Sequence, residues 1–293
     1  MNILELLSSG EILLSDGAMG TELQKRGMKS LACPEELNVS NPDLIRSIHK
    51  DYFDAGSDIV ETNSFGGNKI LLASHNYEKR VREFAIKAAE NAKSVCPPGK
   101  FIAGSVGPTG QILEPFGNLR PEDAYNTFYE ISEALAEGGI DIIFIETMMS
   151  IEEAEIAVKA AKEKTKLPVA VTMTFQVDPS GIKTMWGVDI LTMINRLTNA
   201  GADIIGSNCG KGFDEMIEVI KEMRPLTSKP ILAQANAGLP ELVNGINVYK
   251  ETPELIKPKV KILLSNGVNI IGGCCGIGPH HIKMIHSILK ESK

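Results

Sequence analysis

The chain has 293 residues, 43% of them apolar and 23% charged, a balance that excludes a disordered chain and leaves room for a large core. Its formal charge of −7 argues against nucleic acid as a partner, because surfaces that neutralise phosphates are basic. No window approaches the roughly 20 apolar residues needed to span a bilayer, and Met1 to Gly10 has no basic cluster, so neither membrane association nor a leader is expected and a cytoplasmic location is predicted.

Short apolar runs bounded by turn residues then recur along the chain, at Glu11–Ser15, Asp58–Thr62, Phe101–Val106, Asp141–Ile145, Val169–Thr174, Asp203–Ser207, Ile231–Ala235 and Asn269–Gly272. Continuous Ile- and Val-rich runs are what strands buried on both faces look like. Helical patterns fall between them. Asn41-Pro42-Asp43 opens a helix whose apolar face is Leu44, Ile45, Ile48, Tyr52 and Phe53 and which stops at Gly56. Ser150-Ile151-Glu152-Glu153 fits a capping box. Further helices are expected over Pro121 to Gly138, Val188 to Gly201, Gly212 to Arg224, Pro253 to Gly267 and Pro279 to Lys290. Strand followed by helix, eight strands in all and no linker between them, predicts an α/β fold: a single (β/α)8 TIM barrel occupying 1–293 as one domain. The long Gly107 to Arg120 connection is either an excursion or a segment that shapes the site.

In such barrels the chemistry sits where strands end. Those ends carry Asp16-Gly17-Ala18-Met19-Gly20, Glu61-Thr62-Asn63, Gly107-Pro108-Thr109, Glu146-Thr147, Thr174-Phe175, Asn208-Cys209, Asn236-Ala237-Gly238 and Cys274-Cys275. Cys209, Cys274 and Cys275 are soft donors suited to zinc with a fourth position left open, which places a zinc site at the C-terminal ends of the strands. Against this stand two plainer assignments, buried small hydrophobes and a redox-active vicinal pair. A zinc ion with three thiolates is a poor activator of water and a good binder of a substrate thiol, so alkyl transfer to sulfur follows. Glu146 and Asp16 suit a substrate ammonium group, and the amides of Gly17 to Gly20 suit its carboxylate; a rim salt bridge and a helix cap are the structural alternatives. A phosphate at the Gly276 to Gly278 turn is a competing assignment. Cys33, Cys96 and the five histidines receive no role.

The stretches Asp16-Gly17-Ala18-Met19-Gly20-Thr21-Glu22, Pro34-Glu35-Glu36-Leu37-Asn38, Glu61-Thr62-Asn63-Ser64-Phe65, Gly104 to Gly110, Phe144-Ile145-Glu146-Thr147, Asn208-Cys209, Asn236-Ala237-Gly238 and Gly272-Gly273-Cys274-Cys275-Gly276 resemble the homocysteine S-methyltransferase family, most closely its cobalamin-dependent methionine synthase branch. The resemblance implies zinc held by Cys209, Cys274 and Cys275, homocysteine bound to it through sulfur, and methionine as product. It further implies Asp16, Gly17, Ala18 and Glu146 at the amino-acid end of the substrate, with Thr62, Asn63 and Asn236 in the pocket and Glu146 counted with the cysteines in catalysis. The family's usual Gly-Thr-Thr-Pro after the double cysteine is here Gly276-Ile277-Gly278-Pro279, and Cys209 is followed by Gly210-Lys211-Gly212. No Asp-x-His-x-x-Gly run is present, so methylcobalamin is expected on a separate corrinoid protein. The alternatives are S-methylmethionine or betaine as donor, another small thiol as acceptor, or a substrate-binding component of a multicomponent corrinoid system.

Overall fold

The computed structural model describes residues 2–29, 32–243 and 246–291. Eight parallel strands form its centre: β1 (Leu13–Leu14), β2 (Ile59–Glu61), β3 (Phe101–Val106), β4 (Ile142–Met148), β5 (Val169–Met173), β6 (Ile204–Cys209), β7 (Ile231–Ala235) and β8 (Ile270–Gly273). They run β1-β8-β7-β6-β5-β4-β3-β2, and a parallel bridge between Ser15 and Ile59 brings the two ends together as a barrel. Helices α1 (Pro42–Ala55), α2 (Val81–Val95), α3 (Pro121–Gly138), α4 (Ile151–Thr165), α5 (Ile190–Ala200), α6 (Phe213–Met223), α7 (Pro253–Ser265) and α8 (Pro279–Glu291) ring it, one after each strand. The expected fold class is the one observed.

Side-chain alternation decides what the barrel encloses. Leu13, Ile59, Ala103, Ile142, Phe144, Ala170, Ile204, Leu232 and Ile270 form an inner apolar cluster, sealed from below by Ile3 and Leu7 of the short helix Ile3–Ser8. Two residues further along each strand the chain places Ser15, Glu61, Ser105, Glu146, Thr172, Gly206, Gln234 and Gly272. The interior is therefore apolar at the bottom and polar at the top. The strands' other faces pack on the helices through a second, larger core that includes Val60, Ile102, Ile143, Val171, Ile205 and Ile271.

Several local expectations need correction. α2 was not anticipated, because it starts at Arg80 with no side-chain cap and no proline, the usual start signals. Two antiparallel hairpins are not expected from the sequence either, Phe175–Asp178 with Gly181–Thr184 and Glu241–Val243 with Ile246–Val248; both lie within strand-to-helix connections, after β5 and after β7. β4 and β6 run beyond the expected ends, to Met148 and Cys209, so the site residues Glu146 and Cys209 are strand residues rather than loop residues. Pro42 does begin α1, but Asn41 makes no side-chain cap bond. Only half of the Ser150 capping box forms: Ser150 Oγ accepts the Glu153 N–H at 3.3 Å, while the Glu153 carboxylate turns to the Gly107–Arg120 connection and accepts from Thr109 N and Oγ1 at 2.7 and 2.6 Å.

His49 on α1 is fully buried with both ring nitrogens unpartnered, and burial lowers its pKa from 6.5 to about 4. A base whose folded pKa is depressed stabilises the fold only while neutral. Its contribution is complete above pH 6.5 and is lost as pH falls toward about 4, at most about 3 kcal/mol. Urea unfolding of His49→Gln across that range is expected to show a flatter dependence on pH than the unchanged chain; parallel curves would refute the assignment.

Candidate metal and substrate site

β6, β7 and β8 end on one level, with Cys209 opposite Ala235 and Gly273 opposite Ala235 in the parallel register. Cys209 and the Cys274-Cys275 pair therefore leave the sheet together from either side of β7. Their three sulfur atoms lie within 4.8 Å of one another, and Cys274 and Cys275 Sγ are 4.0 Å apart. Cys274 falls on the inward parity of β8, whereas Cys209 follows the inward-facing Asn208. A left-handed backbone at Cys209, φ 68°, breaks the alternation there. Asn236 Nδ2 donates to Cys209 Sγ at 3.5 Å and to the Gly210 carbonyl at 2.7 Å, fixing that turn.

The sulfurs share charge unequally. Hydrogen bonds from Cys274 and then Cys275 hold the Cys209 thiol well below its ordinary value, and Cys274 and Cys275, as the donors, are pushed up. Tyr249, past the second hairpin, is raised by burial and by the adjacent Cys275, and its ring lies where a side chain on Gly276 would go. Zinc needs three thiolates about 2.3 Å from a common point, hence sulfurs roughly 4 Å apart, and a charge able to take up their protons. The cluster fits that ion.

Below the sulfurs lies the polar layer. Glu146 is buried, accepts from Ser105 Oγ at 2.5 Å and from Asn208 Nδ2 at 3.3 Å, and burial raises its pKa. Asn208 also accepts the Thr147 N–H at 2.9 Å and the Thr172 hydroxyl at 2.9 Å, and donates to Thr147 Oγ1 at 2.8 Å. These bonds hold Thr147 at φ 62°, a costly conformation for a β-branched residue. Asp16 Oδ2 accepts the Glu61 N–H at 2.9 Å, while Asp16 Oδ1 is buried with no partner. Gly17 follows because only hydrogen fits: a Cβ there would run into the Ile277 carbonyl oxygen, which accepts the Ala18 N–H at 2.9 Å and the Tyr52 hydroxyl at 3.0 Å. Gly272 is small for a similar reason, since a Cβ would meet Ser15 Oγ and the Asp16 carbonyl. Ala18 caps the helix Met19–Lys25 without a side-chain bond.

The chain belongs to the homocysteine S-methyltransferase family. Its family model matches residues 13–289. The methionine synthase of Mycobacterium tuberculosis is 30% identical over 310 aligned positions, covering 100% of this chain and 26% of that protein; that of Mycobacterium leprae is 30% identical over 304, covering 97% and 25%. The chain thus spans about a quarter of the length of these relatives. Among solved structures, the metallated form of the homocysteine methyltransferase MmuM from Escherichia coli superposes with a TM-score of 0.82 at 23% identity, covering 97% of this chain and 98% of that one. At that identity the likeness carries the fold.

Within this S-methyltransferase barrel, not every candidate faces the mouth. Thr62 and Asn63 are buried, but they brace loops: Thr62 Oγ1 bonds Ser64 Oγ at 2.7 Å and accepts the Ser105 N–H at 3.1 Å, and Asn63 Nδ2 donates to the Pro34 carbonyl at 2.7 Å. The residue of that stretch on the inward parity is Glu61, and sequence reasoning passed over it, along with Ser105, Gln234 and Tyr249. Counting in twos from the apolar inner positions would have found the first three. The turn considered for phosphate is occupied, because Gly276 N donates to Thr21 Oγ1, Ile277 N to the Cys274 carbonyl and Gly278 N to His281 Nδ1. The Gly107–Arg120 connection lines a cleft of about 490 Å³ with Met149, Trp186 and Val188, on the β3 to β5 side of the same face; no cysteine borders it.

Asn208 joins β4, β5 and β6 under the site, so Asn208→Ala takes one of two donors from the Glu146 carboxylate and leaves the strained Thr147 N–H and the Thr172 hydroxyl without their acceptor. A loss of about 2–3 kcal/mol in urea unfolding is expected. A change below about 0.5 kcal/mol would show the network to be incidental.

Proposed function

We propose that this barrel, as a single domain over 1–293, methylates a small thiol amino acid, homocysteine, to give methionine, using zinc held by Cys209, Cys274 and Cys275. The observation that carries this is the pairing of a three-thiol cluster with two buried carboxyl groups at one barrel mouth, Glu146 and Asp16, the latter with an unpartnered oxygen. Bound there, zinc supplies the positive charge that lowers the pKa of a substrate thiol while three thiolates keep its sulfur nucleophilic.

The chain's own residues do the remaining work. Asp16, through its open Oδ1, and Glu146 take the substrate ammonium by charge-assisted hydrogen bonds. The first-turn amides of Met19 and Gly20, uncapped by any side chain, receive its carboxylate, while the Ala18 N–H stays on the Ile277 carbonyl. Asn236 restrains Cys209, and Asn208 holds Glu146 in position. The short polar reach from these groups to the sulfurs selects an amino acid with its thiol on a short chain.

The methyl donor is proposed to be methylcobalamin on a separate corrinoid protein. Support comes from the methionine synthase relatives and from the exposed apolar side chains Ile112, Phe116, Met185 and Trp186 beside the cleft on the same face. Among the described residues no helix is long and apolar enough to cross a membrane, and five free cysteines suit a reducing compartment, which fits a cytoplasmic enzyme.

Purified chain prepared under reducing conditions is expected to carry about one zinc, as three protein ligands define one site. Its zinc-edge X-ray absorption should gain a sulfur neighbour with homocysteine. Cys209→Ala should lose both metal and methylation while keeping its circular dichroism. No zinc, or zinc in Cys209→Ala, would overturn the metal assignment. Glu146→Gln is expected to raise KM for homocysteine about thirtyfold, the worth of a charged hydrogen bond. Offering a methyl-corrinoid protein, S-methylmethionine and betaine in parallel identifies the donor, and turnover with either small donor alone would replace the corrinoid proposal.

A further inference from the structure

An ammonium subsite made of Asp16 and Glu146 needs two carboxylates, yet the barrel mouth holds three. The third, Glu61, enters from β2. Its N–H donates to Asp16 Oδ2 at 2.9 Å, and its carboxyl group accepts from Gln234 Nε2 and stands against the Glu146 carboxyl in the same inward layer. Two carboxylates offer only acceptors, so a hydrogen bond between two carboxyl groups requires a proton on one of them.

The surroundings favour keeping that proton. Facing the group are Asp16 from the end of β1, Ser105 from β3, Glu146 from β4, Asn208 from β6 with the Cys209 sulfur beyond it, Gln234 from β7 and the Tyr52 hydroxyl from α1. None is a cation. Arg26, which acts on Tyr52, is engaged by Asp51 and Glu22 at its guanidinium. Burial, then repulsion from Glu146 and Asp16, holds Glu61 well above the usual carboxylate range, and burial does the same at Asp16. Asp16 Oδ1 and Gln234 Oε1 remain buried acceptors without donors.

We propose that Glu61 stores a proton against Glu146 in the substrate-free site and releases it when a substrate ammonium group enters, so that amino-acid binding frees a proton that does not come from a thiol. The inference rests on the reading that Asp16 and Glu146 receive the α-amino group. In the exchange the ammonium arrives with its three N–H bonds intact. The O–H bond of the Glu61 carboxyl breaks, its proton passes to the buffer, and an ammonium N–H takes its place as donor between the two carboxylates. The summed charge of the carboxyl cluster and its ammonium is unchanged, and the substrate carboxylate is taken up at a separate place. Binding that releases one proton tightens about tenfold per pH unit wherever the empty site holds that proton.

L-Norvaline separates the two sources of protons, because it carries the amino-acid end of homocysteine with a methyl group in place of the thiol. Calorimetric titration of the full chain with norvaline near pH 7, in buffers of different ionisation enthalpy, counts the protons released. About one is expected for the unchanged chain and about none for Glu61→Gln, whose amide mimics the protonated acid. Norvaline that binds without proton release overturns the proposal and leaves the amino subsite standing. Failure of both norvaline and homocysteine to bind overturns the subsite itself, and the proposal with it. Equal release from Glu61→Gln moves the stored proton to Asp16 or Glu146 and removes Glu61 from the role. Should Glu61→Gln not fold, the unchanged chain still decides: norvaline affinity independent of pH between 6 and 8 sinks the idea, and a rise of about tenfold per unit supports it.

Discussion

The site depends on three parallel strands keeping one register. Cys209, Ala235 and Gly273 occupy the same rung of β6, β7 and β8, and the Cys274 N–H continues the ladder by donating to the Ala235 carbonyl at 2.9 Å. Neighbouring strands are about 4.8 Å apart, so the backbones that supply the sulfurs stand roughly 10 Å from each other. Side chains span that gap only by leaning together over the end of β7. A one-residue slip of β8 would turn Cys274 to the helix face and dissolve the cluster without altering a single residue. The three-thiol cluster is a property of pairing as much as of cysteine content.

The same logic places the carboxylates, with an added constraint at the seam. β1 contributes two strand residues, too few to close a barrel with main-chain bonds alone. Side chains complete the join: Asp58 Oδ2 accepts the Leu14 N–H at 2.9 Å at the bottom, and Asp16 Oδ2 accepts the Glu61 N–H at 2.9 Å at the top. Asp16 thus binds β2 with one oxygen and leaves the other open to the mouth. Its position is rigid because the fold needs it there. A ligand meeting Oδ1 encounters an acceptor whose orientation has already been fixed, which lowers the ordering cost of binding.

Much of this was legible in the sequence, for identifiable reasons. Strands buried on both faces leave unmistakable Ile- and Val-rich runs, and residues such as Gly56, Pro121 and Pro253 punctuate helices by their backbone chemistry alone. The cysteines stood out because soft donors at two strand ends have few other uses. What escaped were features set by tertiary context. α2 lacks start signals and exists because its Ala-rich face packs on the barrel. Thr62 and Glu61 are adjacent, and which of them enters the mouth turns on a parity that becomes visible only once Ile59 is known to point inward. Tyr249 reaches the sulfurs from a hairpin distant in sequence, and no local pattern announces it.

The departure from the expected family pattern beside the cysteine cluster has its own explanation in the backbone. Where the family resemblance leads one to expect Gly-Thr-Thr-Pro, this chain has Gly276-Ile277-Gly278-Pro279. The contacts that bind this loop to the substrate side of the barrel are made by main-chain atoms: the Ile277 carbonyl accepts from Ala18 N and Tyr52 Oη, and the Gly276 N–H donates to Thr21. The Ile277 side chain is itself fully buried, filling the space over Gly273, where a Cβ would collide with it. A hydroxyl at that position would need a partner in an apolar pocket, whereas isoleucine needs none. Because peptide groups of the loop hold it against Gly17 and Ala18, the substitution keeps those two residues in place. Any difference from relatives would then have to arise at the open side of the sulfurs, where Tyr249 and the second hairpin stand.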